Sequence, residues 1–244
     1  MATPAGVPIY GVADHSAVKN KFPGLLRFAR KDTINRHLNN NKTMTKLYLI
    51  SPPDFDLEDF DKKLREILQE CEVPVFQLRL KNKTDQEVKT YAQKLLETCN
   101  ELNCMFILND YVDIALEIGA HGVHVGCDDK NIADIRQKAG ENFMIGASCY
   151  DSRDLALQAE LDGANYISFG AFFPTTTKKT TSRPSLSIVK WAQEMLNLPI
   201  TAIGGISPVN CKGLVQSEVD FICVISYIWD NEAGPCAAIK EFSL

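Results

Sequence analysis

Asp110 and Asp129 each stand just after a short apolar run, in "ILNDY" and "VGCDD", and a hydroxyl-rich stretch with two lysines, "GAFFPTTTKKTT", follows a third such run. Carboxylates in this setting suit Mg2+, which keeps several of its waters and is usually held by one or two carboxylates plus the oxygens of a phosphorylated substrate. Thr175, Thr177 and Lys178 offer hydroxyl donors and a point charge, a lining for a phosphate or diphosphate. Blander readings stand beside these. Each aspartate could cap the helix that follows it, one starting at "YVDIALEIG" and the other near Asn131, and the threonine stretch could be a solvated loop.

Further polar residues recur at the same kind of place. In "VFQLRLK" the alternation puts Gln77 and Arg79 on one face, and an arginine in an apolar strand is costly unless it meets a carboxylate or a ligand. Lys81 follows that run, Asn109 ends the next, and Ser148 ends a later one in "FMIGAS". In "AIGGISPVN" the amides around Gly205, at the start of a helix expected near Ser207, could hold a second phosphate together with Ile225 and Ser226 of "CVIS".

Placing these residues requires a repeating frame, and the chain supplies one. Apolar runs at 47–50, 75–80, 105–108, 122–125, 143–147, 166–170, 200–204 and 221–226 read as buried parallel strands. Amphipathic stretches, several ending at glycine, separate them, and a final helix is expected near 231–242. Eight such units are the count of a single (β/α)8 TIM barrel, with a doubly wound sheet as the alternative; in a barrel every residue singled out above belongs to one face, at the C-terminal strand ends.

The first 43 residues do not share this pattern. Positions 1–43 carry seven Lys/Arg against two Asp/Glu, while 44–244 carry nineteen against twenty-nine. We therefore expect a basic N-terminal extension, low in fold information, ahead of a barrel spanning 44–244, with Met44 as a candidate natural start.

Composition narrows the partners. A net charge of -5 over 244 residues argues against a nucleic-acid or anionic-membrane surface spread over the whole molecule. Eight cysteines without a CxxC pair suggest a reducing, cytoplasmic setting. No run is long enough for a membrane span, and no secretory signal is visible. Small phosphorylated molecules are the expected partners, with a homo-oligomer left open.

Taken together, "QLRLK", "ILNDYVDIALEIGAHGVHVG", "IGAS", "GANYISFGAFFPTTTKK", "AIGGISPVN" and "CVISYI" resemble, in order and spacing, the thiamine-phosphate synthase (thiamine-phosphate pyrophosphorylase) family from about Leu47 to Ile228. The resemblance implies a barrel enzyme that joins hydroxymethylpyrimidine diphosphate to a thiazole phosphate and releases diphosphate with Mg2+. By the same resemblance Gln77, Arg79, Lys81 and Asn109 would hold the pyrimidine diphosphate, Asp110 and Asp129 the Mg2+, and Ser148 and Lys178 the diphosphate. Thr175 and Thr177 would lie by the thiazole phosphate, with Gly205, Ile225 and Ser226 binding it. Ser148 and Lys178 are the expected catalytic pair, and His124 is read as a packed or supporting residue rather than a base.

The chain departs from the family pattern in three places. Gly126-Cys127-Asp128-Asp129 stands where Gly-Gln-x-Asp is usual, Tyr150 where His is frequent, and Leu80 where an acid is frequent, at a position expected to point away from Arg79. A thiazole tautomerase of the same superfamily and a non-catalytic phosphate-binding paralogue are the alternatives. The first is disfavoured because Tyr150 offers no imidazole for proton transfer.

Overall fold

The computed structural model describes residues 44–126, 131–175, 182–242 and 244. The proposed extension at 1–43 lies outside them. Eight strands, β1 (Lys46–Ile50), β2 (Val75–Leu78), β3 (Met105–Asn109), β4 (Gly122–Gly126), β5 (Met144–Tyr150), β6 (Tyr166–Gly170), β7 (Ile200–Ile203) and β8 (Phe221–Val224), pair in parallel and close into a barrel in chain order. Closure is made by β1 against β8, from Lys46 opposite Phe221 to Leu49 opposite Val224. The doubly wound alternative is thereby excluded.

Four of the helices among the described residues begin where a side chain satisfies a first free amide. Helix α1 (Leu57–Glu70) starts after Asp56, whose carboxylate accepts from the Asp59 amide, and α2 (Asp85–Glu101) after a Thr84–Glu87 capping box. Helix α3 (Val112–Glu117) starts after Tyr111 with no side-chain cap, α4 (Ile132–Ala139) after Asn131, and α5 (Arg153–Leu161) after Ser152. The remainder are α6 (Leu186–Met195), α7 (Lys212–Gln216), α8 (Ser226–Trp229) and α9 (Pro235–Lys240). Among the described residues no helix is long and apolar enough to cross a membrane.

Alternation along the strands divides the interior in two. Leu49, Phe76, Leu78, Phe106 and Val123 point outward and pack with Phe60, Leu64, Leu95 and Ile188 of the helices into one large apolar cluster. Tyr48, Ile50, Val75, Met105, Ile107, Met144, Tyr166, Phe221 and Cys223 point inward and fill the barrel. Leu80 is buried in the outer cluster, on the opposite side from Arg79, as its strand position implies.

Several boundaries differ from expectation. Strand β8 stops at Val224, because the amides of Ile228 and Trp229 bond back to the Ile225 carbonyl and the Trp229 indole donates to the Ile50 carbonyl at 2.7 Å. Ser226 therefore opens a short helix instead of ending a strand. The helix expected near Ser207 begins only at Lys212: the Asn210 side chain takes the Ser207 amide at 2.9 Å and donates to the Gly205 carbonyl at 2.9 Å, holding the chain in a turn. The final helix is shorter than 231–242.

Candidate active site

At the C-terminal ends of the strands a cavity of about 210 Å³ opens, lined by Gln77, Arg79, Asn109, Asp110, Ser148, Thr175, Gly205, Ile225 and Ser226 among others. Nine of the residues singled out in the sequence thus meet in one place. Lys81 is exposed and does not line the cavity. Asp129, Thr177 and Lys178 lie outside the described residues, as does Cys127.

Among the described residues Arg79 is the cation of the wall. Burial pulls its guanidinium below the ordinary arginine range, and the attraction of Asp110 works in the opposite direction. The group stays charged, so the cavity wall carries a partly dehydrated cation.

Asp110 is exposed, with φ of 69°, and accepts from the Asn109 side-chain amide at 2.6 Å. A non-glycine residue in the left-handed region is uncommon, though aspartate tolerates it better than most. The N-cap of α3 is Tyr111, so the capping explanation fails for Asp110, and the N-cap of α4 is Asn131. A carboxylate at a strand end, on the rim of a polar cavity and beside a cation, fits an ion such as Mg2+ that takes few protein oxygens.

On the opposite wall the loop after β6 is stitched to the loop after β7. The Phe172 amide donates to the Ile203 carbonyl at 3.1 Å and the Phe173 amide to the Gly204 carbonyl at 3.0 Å. Gly205 has φ of +62°, and a Cβ there would fall 2.2 Å from the Pro174 carbonyl oxygen, so only glycine lets Thr175 and Gly205 face the cavity together. Because the Ser207 amide is engaged by Asn210 and α7 starts only at Lys212, the start of that helix does not supply the amides beside Gly205, which corrects that part of the phosphate argument.

The floor holds polar groups, of which sequence reasoning passed over Tyr48, Tyr166 and Thr201 while reading His124 as packed or supporting. The Tyr48 hydroxyl is 2.8 Å from that of Tyr166 and accepts from the Gln77 amide at 2.8 Å. His124 lies between the Tyr166 hydroxyl at 3.0 Å and the Ser148 hydroxyl at 2.9 Å. The signal available was a tyrosine inside two buried strands, "LYLI" and "NYISFG", since a buried phenol needs a partner. Thr201 also lines the cavity, fully buried, with no partner for its hydroxyl among the described residues.

Comparison with known proteins places this geometry. The family model described as Thiamine monophosphate synthase matches residues 47–228. A thiamine-phosphate synthase of Rhodospirillum centenum is 41% identical over 203 residues, covering 82% of this chain and 97% of that protein. One from Hyphomonas neptunium is 38% identical, covering 82% and 92%. The solved thiamine phosphate pyrophosphorylase of Pyrococcus furiosus superposes with a TM-score of 0.70 at 33% identity, covering 80% of this chain and 92% of that one. A 3-hexulose-6-phosphate synthase structure, at 16% identity and a TM-score of 0.57 over 80% of this chain and 97% of that one, shares the fold alone.

Proposed function

The chain belongs to the thiamine monophosphate synthase family, and on that premise we propose that it transfers the hydroxymethylpyrimidine group from its diphosphate to a thiazole phosphate, giving thiamine phosphate and diphosphate. The observation that carries the reading is the half-buried Arg79 guanidinium, facing a polar cavity beside Asn109 and Asp110 at the catalytic end of a barrel.

In this reading Gln77, Arg79 and Asn109 orient the pyrimidine diphosphate, with Lys81 reaching it from the rim. Ser148 and Lys178 bind the departing diphosphate. Thr175, Thr177, Gly205, Ile225 and Ser226 hold the thiazole phosphate on the facing wall. The bond between the exocyclic methylene and the diphosphate oxygen breaks, its electron pair leaving with the diphosphate. The amino group of the pyrimidine spreads the resulting positive charge, and the thiazole nitrogen lone pair forms the new C–N bond. No protein nucleophile is required. The chain's share is to hold the two rings in line and to stabilise negative charge as it develops on the leaving group. When bound, Mg2+ would be held by Asp110 and Asp129 and would supply further neutralisation of that charge.

The free thiols found among the described residues agree with a reducing compartment, and we place the protein in the cytoplasm on that basis. The test is product formation from the two phosphorylated substrates with Mg2+, beside Asp110→Ala and Lys178→Ala. Metal-dependent thiamine phosphate, lost in both variants, is the expected result. Saturable binding of thiazole phosphate without product would sink the synthase reading and favour a binding protein.

A further inference from the structure

We infer that a one-way chain of hydrogen bonds, from Gln77 through Tyr48, Tyr166 and His124, makes the Ser148 hydroxyl a fixed donor toward the cavity. The links are 2.8, 2.8, 3.0 and 2.9 Å long and cross the barrel floor from β2 by way of β1, β6 and β4 to β5.

Counting hydrogens gives the direction. The Gln77 amide nitrogen can only donate, so the Tyr48 oxygen accepts. The one acceptor that Tyr48 meets among the described residues is the Tyr166 hydroxyl, so Tyr48 donates to it. Tyr166 then has its own hydrogen left for His124 Nδ1. A ring nitrogen that accepts carries no proton, so the neutral imidazole bears its hydrogen on Nε2 and gives it to the Ser148 oxygen. Among the described residues no acceptor is left for the Ser148 hydrogen, which is therefore free for the cavity that Ser148 lines. Run the other way, the chain would strand the hydrogen of a fully buried phenol, at a cost of about 1–3 kcal/mol.

Two features show that this path is built. Burial pushes both phenols far above the ordinary tyrosine range, so they keep their protons at any working pH. Gly146 clears the way for the Tyr166 ring: a Cβ there would fall 2.0 Å from the ring and 2.3 Å from its hydroxyl.

The consequence, which rests on the synthase reading, is that Ser148 donates to an oxygen of the bound diphosphate. Tyr48, Tyr166 and His124 are positioning residues that set the polarity of that contact without touching the reacting atoms.

The experiment uses the full chain, labelled with 15N, and long-range proton–nitrogen spectra of its histidine rings, with His124 assigned through His124→Gln. The wild type should show the Nε2–H tautomer. Tyr166→Phe should move the Nδ1 resonance downfield, as a pyridine-type nitrogen does on losing a donor. Tyr48→Phe should move it far less, because Tyr166 keeps its hydrogen for His124. In the kinetics, KM for the pyrimidine diphosphate should rise about tenfold in Tyr166→Phe and about threefold in Tyr48→Phe, with kcat changed less than KM. An Nδ1–H tautomer in the wild type, or an Nδ1 resonance indifferent to Tyr166→Phe, would overturn the chain. The expected spectra in a protein that makes no thiamine phosphate would leave the chain standing and remove the synthase reading.

Discussion

Phe76 and Gln77 are consecutive residues of one strand, both buried, yet they serve different interiors. Phe76 faces outward into the apolar cluster under the helices, with its ring centroid 5.9 Å from that of Phe60 and 6.2 Å from that of Phe106. Gln77 faces inward and reaches a hydroxyl chain that ends at an open cavity. The outer interior gains stability from area removed from water, whereas the inner one gives some of that up to keep polar groups aimed at a ligand. Substitutions on the two sides should therefore separate: outer ones cost stability, inner ones cost rate.

The largest effect belongs to the outer side. Phe76→Ala should lower the unfolding free energy by about 3–5 kcal/mol, read from urea denaturation, because a fully buried ring leaves a cavity that the sheet cannot close. Next comes Arg79→Gln on the inner side, which should cut kcat/KM by about 100-fold, or about 2.7 kcal/mol of transition-state stabilisation, while leaving the urea midpoint unchanged or higher. Stability survives because the substitution also removes a dehydrated charge.

Gly205→Ala sits between the two kinds of effect. The added methyl collides with the Pro174 carbonyl and must push the loop carrying Thr175, so KM for the thiazole phosphate should rise about tenfold. The smallest effect runs in the opposite sense. Thr201→Val removes a buried hydroxyl with no partner among the described residues and should stabilise the fold by about 1 kcal/mol in thermal or urea melts. A loss of stability there would mean the inner interior tolerates that hydroxyl for a structural reason, blurring the contrast.

The outer interior was the more legible of the two from sequence. Apolar runs at regular intervals are enough to specify a strand buried on both faces, and period-two alternation assigned Gln77 and Arg79 to the cavity and Leu80 away from it. Asp110 could be placed at a strand end, but only its left-handed backbone and the Tyr111 cap separate a ligand from a helix cap. The hydroxyl chain was not legible, since Tyr48, Tyr166 and His124 come from strands far apart in sequence and each looks like ordinary core on its own. The late start of α7 was missed for a similar reason: it depends on the Asn210 side chain competing for the Ser207 amide, a contact that apolar periodicity does not encode.

The central claim is that the inward face at the C-terminal strand ends forms thiamine phosphate and does so through charge held out of water. Its most direct test is kcat/KM for that reaction in Arg79→Gln, measured with Mg2+ on material whose urea midpoint matches or exceeds the wild type. The account predicts a fall of about 100-fold. Wild-type turnover in that folded variant would contradict it.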